Sequence, residues 1–271
     1  MIEDISMDLK DVICLGVAGN FAQHLEQAGE LKDFEDVVTQ EENAPKGIFP
    51  FYLPNSECFL GLYSIGTSTL HLPIYEANTQ VEPEIAVLFD ITYDTNMNVA
   101  DLKAKKFTTF NDCTIRKEGA KKISEKKSWG VNSKGIGDKW IDIDKFEEGG
   151  VMDAYHLCSF VKRNGTLQPY GVDAPLLGYS YFYAKLKHWL VDKMNTQKDF
   201  GPLENIAEHL KGCEYPKQVL ISIGATAYAE FGEHHYLEAG DEVYVIAYDK
   251  QKDDADLTAS LSKVILHQKV L

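Results

Sequence analysis

The chain has few of the features that mark membrane, secreted or nucleic-acid-binding proteins. It contains no run of about 18 or more apolar residues, so we expect no membrane span. Its first residues are acidic and lack both the basic and the apolar part of a secretory signal. The net charge is −15, and no basic stretch is long enough to offset it, which argues against a nucleic-acid partner.

Cysteine is also scarce, and its pattern indicates a reducing compartment. The five cysteines form no Cys-x-x-Cys pair and are spread along the chain: Cys14, Cys58, Cys113, Cys158 and Cys213. An odd number of scattered cysteines is typical of reduced thiols, so we expect a cytoplasmic protein. Cys113 stands next to Asp112, but a buried packing role is the simpler interpretation.

What is present is the composition of an ordinary globular protein. The 271 residues are 44% hydrophobic and 25% charged, and they can form one large domain or two modest ones.

Residues 81–116 carry the clearest chemical pattern. Glu82 and Glu84 lead into an apolar, strand-like run, and Asp112 follows a second apolar segment. Alternate residues of a strand point to the same face, so the two glutamates would project together. If the sheet brings Asp112 beside them, three oxygen donors form the surroundings that Mg²⁺ or Mn²⁺ prefers. On spacing alone, two solvated glutamates and a capping aspartate remain the alternative.

These segments resemble the fumarylacetoacetate hydrolase family. Sequences of the family contain Glu-x-Glu before an apolar strand, as at residues 82–87, and a motif close to Asn-Asp-x-Thr-x-Arg, as at residues 111–116. The resemblance implies that Glu82, Glu84 and Asp112 hold a divalent metal, Mg²⁺ or Mn²⁺. It also implies that Arg116 lies beside the substrate and orients Asp112.

A second matching segment lies near the N-terminus. Residues 19–24 resemble the family's Gly-x-Asn-Tyr-x-x-His phrase, which implies that His24 is a general base. The family pairs this histidine with a glutamate one helical turn later, where this chain has Gln27. Either Glu30 or Glu26 substitutes through a shifted loop, or the pair is absent.

Three further residues are assigned by the resemblance. Lys134 is the counterpart of the lysine in a Lys-Ser-Phe-Asp phrase, and it would steady negative charge on the substrate; an exposed loop lysine is the alternative. Gln168 fits the glutamine that follows an Asn-Gly pair. Thr226, in Gly224-Ala225-Thr226, would contact the substrate carboxylate in place of the threonine of a Gly-Thr-Pro turn.

Local patterns predict several elements directly. Asn164-Gly165 between strand-like runs predicts a hairpin, and the apolar spacing over residues 179–194 predicts an amphipathic helix. Residues 218–226 are typical of a buried strand that ends at a glycine turn.

The resemblance implies a mixed α/β, β-rich fold: a rolled, barrel-like mixed β-sheet with few helices. A small N-terminal section (residues 1–60) with an acidic linker would precede the catalytic domain (residues 61–271), and the family commonly forms homodimers. The expected function is a metal-dependent enzyme that acts on a small oxo acid, such as an acylpyruvate or oxaloacetate, through an enolate. Hydrolysis of a C–C bond, decarboxylation, hydration and isomerisation all share that enolate.

Two other functions stay open. A protein of this fold that has lost catalysis could bind a metabolite or a partner, which the altered phrases favour. A dinucleotide-dependent enzyme could use the glycines at positions 16 and 19, although they do not form Gly-x-Gly-x-x-Gly.

Overall fold

The computed structural model describes residues 8–21, 27, 34, 37, 39, 41, 43–117 and 119–271, so His24 and Glu30 lie outside the described residues. The described part of the chain is rich in β-structure. Its strands are β1 (Ile13–Ala18), β2 (Gly47–Tyr52), β3 (Ile65–Gly66), β4 (Thr69–Leu70), β5 (Thr79–Gln80), β6 (Pro83–Tyr93), β7 (Val99–Asn111), β8 (Thr114–Ile115), β9 (Lys134–Ile136), β10 (Ile141–Asp142), β11 (Tyr155–Arg163), β12 (Thr166–Pro175), β13 (Gln218–Ser222), β14 (Glu242–Asp249) and β15 (Lys263–Val270). Its α-helices are α1 (Ser124–Lys127), α2 (Tyr183–Thr196), α3 (Ile206–Gly212) and α4 (Glu230–His234).

The larger sheet has eight strands and a mixed topology. Its order is β2-β1-β13-β6-β7-β9-β3, and β10 also pairs with β7. β1 runs parallel to β13, whereas β13, β6 and β7 are successive antiparallel neighbours. The mixed, β-rich fold with few helices, expected from the resemblance, is confirmed, and the sheet is strongly curled.

The β6–β7 hairpin is buried on both faces because its apolar residues do not alternate with polar ones. Val87 and Phe89 face one core cluster, and Ala86 and Leu88 face the other. Both faces of β6 are therefore shielded from water by other elements, which is typical of a central strand.

The smaller sheet has five strands in the order β12-β11-β14-β15-β4 and covers one face of the larger sheet. The ring of Phe107 in β7 meets the ring of Tyr155 in β11 edge to face, with centroids 5.1 Å apart. The predicted hairpin is confirmed: Asn164 and Gly165, with φ angles of 52° and 80°, join β11 to β12. Two successive positive φ angles suit the right-handed twist of the strands.

Helix α2 covers the core, but it begins later than the spacing predicts. Tyr183, Leu186, Leu190 and Met194 form its buried face. The expected start at residue 179 is wrong because the backbone is extended at Tyr179 and Phe182; between them, the N–H groups of Ser180 and Tyr181 donate to the backbone and side-chain oxygens of Asn20, at 2.9 and 2.8 Å. Among the helices of the described residues, none is long and apolar enough to cross a membrane.

The strands before residue 60 belong to the same sheet as those after it. β1 lies between β2 and β13, with Ile13 opposite Val219. Gly16 lies inside β1, where a Cβ atom would come within 2.3 Å of the Phe49 ring. This glycine therefore makes room for an aromatic ring in the sheet.

Candidate metal centre

Glu82, Glu84 and Asp112 form a buried cluster, here called the carboxylate cluster. Pro83 pairs with Asn111 where β6 begins and β7 ends, and the N–H of Asp112 donates to the carbonyl of Glu82 at 2.9 Å. The three side chains are at most 3% exposed. One oxygen of each lies within 4.8 Å of the others, so the hairpin brings together residues 30 positions apart.

Glu84 is held by the loop that follows β13. The backbone N–H of Gly224 donates to Glu84 Oε2 at 2.9 Å. Gly224 has a φ of +116°, and a Cβ atom there would lie 2.8 Å from Cβ of Asn20. Burial and the nearby charge of Asp112 raise the pKa of Glu84 well above its usual value.

Three cationic side chains surround the cluster. Lys127 Nζ contacts Glu82 Oε2, and it lies 2.7 Å from Asp112 Oδ2. Lys134 Nζ lies 2.8 Å from Asp112 Oδ1, and Arg116 Nη2 lies 3.0 Å from Glu82 Oε1. Three formal negative charges thus meet three formal positive charges in a nearly dry environment.

Lys127 is a residue that the sequence reasoning missed. It ends the single-turn helix α1 and is 3% exposed, and its Nζ lies 5.4 Å from the centre of the Phe49 ring. A signal was present, because Lys127-Ser128-Trp129 has the Lys-Ser-aromatic order of the family's Lys-Ser-Phe-Asp phrase. Lys134, which was assigned to that phrase, is followed by glycine.

Lys134 lies behind the cluster, fully buried at the start of β9. Its ammonium donates to the carbonyl of Cys113 at 2.5 Å and contacts Asp112. Burial lowers the pKa of Lys134. Burial also raises the pKa of the Cys113 thiol to about 12, which suits a packing role for that cysteine.

Arg116 links Glu82 to the N-terminal segment. It was expected to orient Asp112, and the structure shows that its guanidinium contacts Glu82. Its Nε donates to Gln80 at 2.5 Å, and its Nη2 donates to the Tyr228 hydroxyl at 2.6 Å. The amide of Gln27 in turn pairs with the backbone of Tyr228, accepting from its N–H at 2.9 Å and donating to its carbonyl at 3.4 Å.

The other assigned residues lie in different surroundings. Thr226 is buried beside the cluster, because its N–H donates to the carbonyl of Pro83 at 3.2 Å. Gln168 lines a separate cavity of about 400 Å³ together with His234 and His235. His24 and Glu30 belong to the part of the chain that the structure does not describe.

A small pocket opens beside the carboxylate cluster. Its volume is about 20 Å³, and its walls include Glu82, Glu84, Lys127, Phe49 and Ile123. A space of this size holds about one water molecule or ion.

The residues fit a divalent metal ion. Carboxylate oxygens are the ligands that Mg²⁺ and Mn²⁺ prefer, and opposite ligands around Mg²⁺ are about 4.2 Å apart. The spread of up to 4.8 Å in the carboxylate cluster is close to that distance. Small side-chain movements would therefore complete the ligand set.

The chain belongs to the family of unknown function DUF5718, whose sequence model matches residues 30–269. No curated protein matches the chain. Solved structures do match, and one is a protein from Oleispira antarctica assigned as a fumarylacetoacetate isomerase/hydrolase. It has a TM-score of 0.56 and 16% identity, and the match covers 98% of this chain and 96% of that one.

Two further matches are enzymes of the same fold. A 2-keto-3-deoxy-D-arabinonate dehydratase complexed with magnesium and 2,5-dioxopentanoate has a TM-score of 0.53 and 14% identity, over 96% of this chain and 73% of that one. A 5-carboxymethyl-2-hydroxymuconate delta-isomerase from Mycobacterium smegmatis has a TM-score of 0.52 and 16% identity, over 96% and 78%. The fold is thus that of the fumarylacetoacetate hydrolase family, which confirms the resemblance at the level of the fold.

Proposed function

We propose that this DUF5718 chain is a metal-dependent enzyme that acts on a small oxo acid through an enolate. The observation that carries the proposal is the convergence of three buried carboxylates beside a pocket that Lys127 also lines. The magnesium and 2,5-dioxopentanoate bound by the dehydratase of the same fold support this class of substrate.

Glu82, Glu84 and Asp112 would hold Mg²⁺ or Mn²⁺. A bound divalent ion supplies Lewis-acid polarisation of the oxo group and so favours the enolate. The surrounding residues keep the three ligands oriented: the Gly224 N–H holds Glu84, Arg116 holds Glu82, and Lys134 holds Asp112.

Negative charge that develops on the substrate would be met by Lys127. Its side chain lines the pocket, whereas Lys134 is fully buried behind Asp112. We therefore assign the substrate-facing role to Lys127 and a positioning role to Lys134. Thr226 and the backbone N–H groups near it would hold the substrate carboxylate.

The proton transfer is assigned to His24, and the chemistry of Gln27 favours some reactions over others. Gln27 is a neutral amide whose oxygen and nitrogen both bond to the backbone of Tyr228. Such an amide cannot act as the carboxylate of a water-activating pair. Only Glu30 or Glu26 could then supply that carboxylate, and without it decarboxylation or isomerisation is favoured over hydrolysis. A cytoplasmic location and a homodimer stay part of the proposal.

The test is a calorimetric titration with Mg²⁺ and Mn²⁺, followed by an activity screen on oxaloacetate and acylpyruvates. We expect the Glu84→Ala variant to lose at least about tenfold in metal affinity, because it lacks one of three ligands. Glu57→Ala, which removes an exposed carboxylate, should bind metal as the wild type does. Equal binding by the wild type and Glu84→Ala would contradict the proposed site.

A catalytically inactive binding protein is the second candidate. It is favoured by the amide at position 27 and by the contacts of Lys127 with two of the three carboxylates. Metal binding without turnover of any oxo acid in the screen would support this candidate.

A further inference from the structure

We infer that Lys127 occupies the cation position of the carboxylate cluster in the metal-free protein, and that a divalent ion must displace it. This inference rests on the proposed function, because it concerns the same metal site. It assigns Lys127 two positions, one between Glu82 and Asp112 and one facing the pocket.

The carboxylate oxygens of Glu82 and Asp112 are all in contact with cations. Oε1 of Glu82 meets Arg116, and Oδ1 of Asp112 meets Lys134. The remaining oxygen of each, Oε2 and Oδ2, meets the single ammonium of Lys127. An ion that binds both residues must therefore take oxygens that a side-chain cation now holds.

Lys127 differs from the other two cations because it bridges two of the three carboxylates. Lys134 is fully buried and also anchored to the carbonyl of Cys113. Arg116 is also anchored, by Gln80 and by the hydroxyl of Tyr228. Lys127 lines the pocket, and its side chain extends from a single helical turn. A long, flexible lysine can swing its ammonium without moving the backbone.

Charge balance gives the displacement a direction. With Lys127 in place, the cluster is formally neutral, so a divalent ion would add two uncompensated charges to a buried site. If the ammonium moves away from the carboxylates and into the pocket, whose wall includes the ring of Phe49 that it already faces, the repulsion between the two cations falls. The ammonium then lies where an anionic substrate would enter. Metal loading would thus prepare Lys127 to meet the substrate.

The experiment compares metal affinity in the wild type, Lys127→Met and Lys134→Met by calorimetry with Mn²⁺. Both variants remove one positive charge that contacts Asp112, but only Lys127 bridges two ligands. We expect the dissociation constant of Lys127→Met to fall at least about tenfold below that of the wild type. For Lys134→Met we expect a clearly smaller change.

A second variant keeps the inference testable if Lys127→Met does not fold. In Lys127→Ala, ammonium ions can refill the vacated position, whereas tetramethylammonium ions are too large. We expect ammonium chloride to raise the melting temperature of the metal-free variant, relative to the same concentration of tetramethylammonium chloride. The wild type should show no such difference, because its own lysine fills the position.

The outcomes separate this inference from the proposed function. If the wild type binds Mn²⁺ and Lys127→Met binds it equally or more weakly, the exchange is wrong and the metal site stands. If Lys134→Met gains as much Mn²⁺ affinity as Lys127→Met, the displacement of Lys127 is also wrong, because the loss of one positive charge would explain both gains. Binding by Lys127→Met but not by the wild type supports the exchange and contradicts a metal-dependent wild type. If no variant binds the metal, both proposals fail.

Discussion

Glu84 owes its position to one backbone N–H group. Gly224 can direct this N–H at the carboxylate because glycine adopts a φ of +116°, which an L side chain rarely does. Gly224 also lies close to Asn20: a Cβ atom added to the glycine would be 2.8 Å from Cβ of Asn20. Both constraints, conformational and steric, fall on one residue.

The Gly224→Ala variant tests this arrangement at the scale of the residue. We expect it to lower the free energy of unfolding by about 2 kcal/mol or more, because a strained φ and a steric clash add together. It should also weaken Mg²⁺ binding, since the donor to Glu84 moves. Urea denaturation and calorimetry measure the two effects.

Gly201→Ala is the matched control. Gly201 also has a positive φ, +53°, but an added Cβ would meet no atom of the protein within 4 Å. The Gly201→Ala variant should lower the free energy of unfolding by about 1 kcal/mol and leave metal binding unchanged. Equal costs for the two variants would show that contact with Asn20 is unimportant.

The sequence indicated the three candidate ligands better than the residues around them. Glu82, Glu84 and Asp112 stand in two short motifs, and the resemblance of these motifs to the fumarylacetoacetate hydrolase family was enough to propose them. Lys127 was missed although its Lys-Ser-aromatic order matched, because a second lysine seven residues later competed for the assignment. The partners Gln27 and Tyr228 are 201 residues apart, and no local pattern joins them.

At the scale of the element, the outer face of the smaller sheet carries a cross-strand cluster around Glu242 in β14. Lys162 of β11 lies 2.9 Å from its Oε1, and the Tyr244 hydroxyl and His267 of β15 lie 2.8 and 2.9 Å from its Oε2. The hydrogen bonds from Lys162 and Tyr244 lower the pKa of Glu242 to about 2. The cluster thus links three neighbouring strands.

The Glu242→Gln variant should be less stable than the wild type at pH 7, by less than about 1 kcal/mol because the cluster is partly solvated. The folded-state pKa lies below the unfolded value of 4.5, so this contribution is present above pH 4.5 and declines as the pH falls toward 2. Urea midpoints at pH 7 and pH 3 measure it. A difference that stays constant or grows at pH 3 would contradict this account.

Element boundaries were less predictable than element types. The hairpin at Asn164 and the helix that contains Leu186 were predicted from local patterns. The start of α2 was wrong by four residues because the backbone is extended at Tyr179 and Phe182, and the residues between them bond to the distant Asn20 through its backbone and side-chain oxygens. Such tertiary contacts are not recorded by periodicity.

At the scale of the whole molecule, the N-terminal strand is tied to distant parts of the chain. Asn20 is fully buried, donates to the carbonyls of Tyr181 and Ile223 at 2.9 and 2.8 Å, and accepts from the N–H of Tyr181. Its side chain therefore joins β1, the loop after β13 and the approach to α2. The proposed division at residue 60 thus runs through one hydrogen-bonded sheet.

The Asn20→Ala variant should lose about 3 kcal/mol or more of stability, because three buried backbone groups lose their partner. Asn98→Ala, at an exposed turn, should cost less than about 1 kcal/mol.

For the wild type, we expect tryptophan fluorescence and far-UV circular dichroism to report one coincident unfolding transition, because the two proposed domains share one sheet. Two separate transitions would support two independent domains.

The position of β13 between β1 and β6 has a consequence for synthesis on the ribosome. Ile13 pairs with Val219, so the sheet cannot close until more than 200 intervening residues have been translated. At about 5–20 residues per second, this interval lasts roughly 10–40 s. Throughout it, β1 lacks the neighbour that covers one edge, and β6 lacks the same neighbour from its own synthesis until β13 is made. The contact order of this sheet is high, so folding should be slow and largely post-translational, and nascent chains should need protection from aggregation.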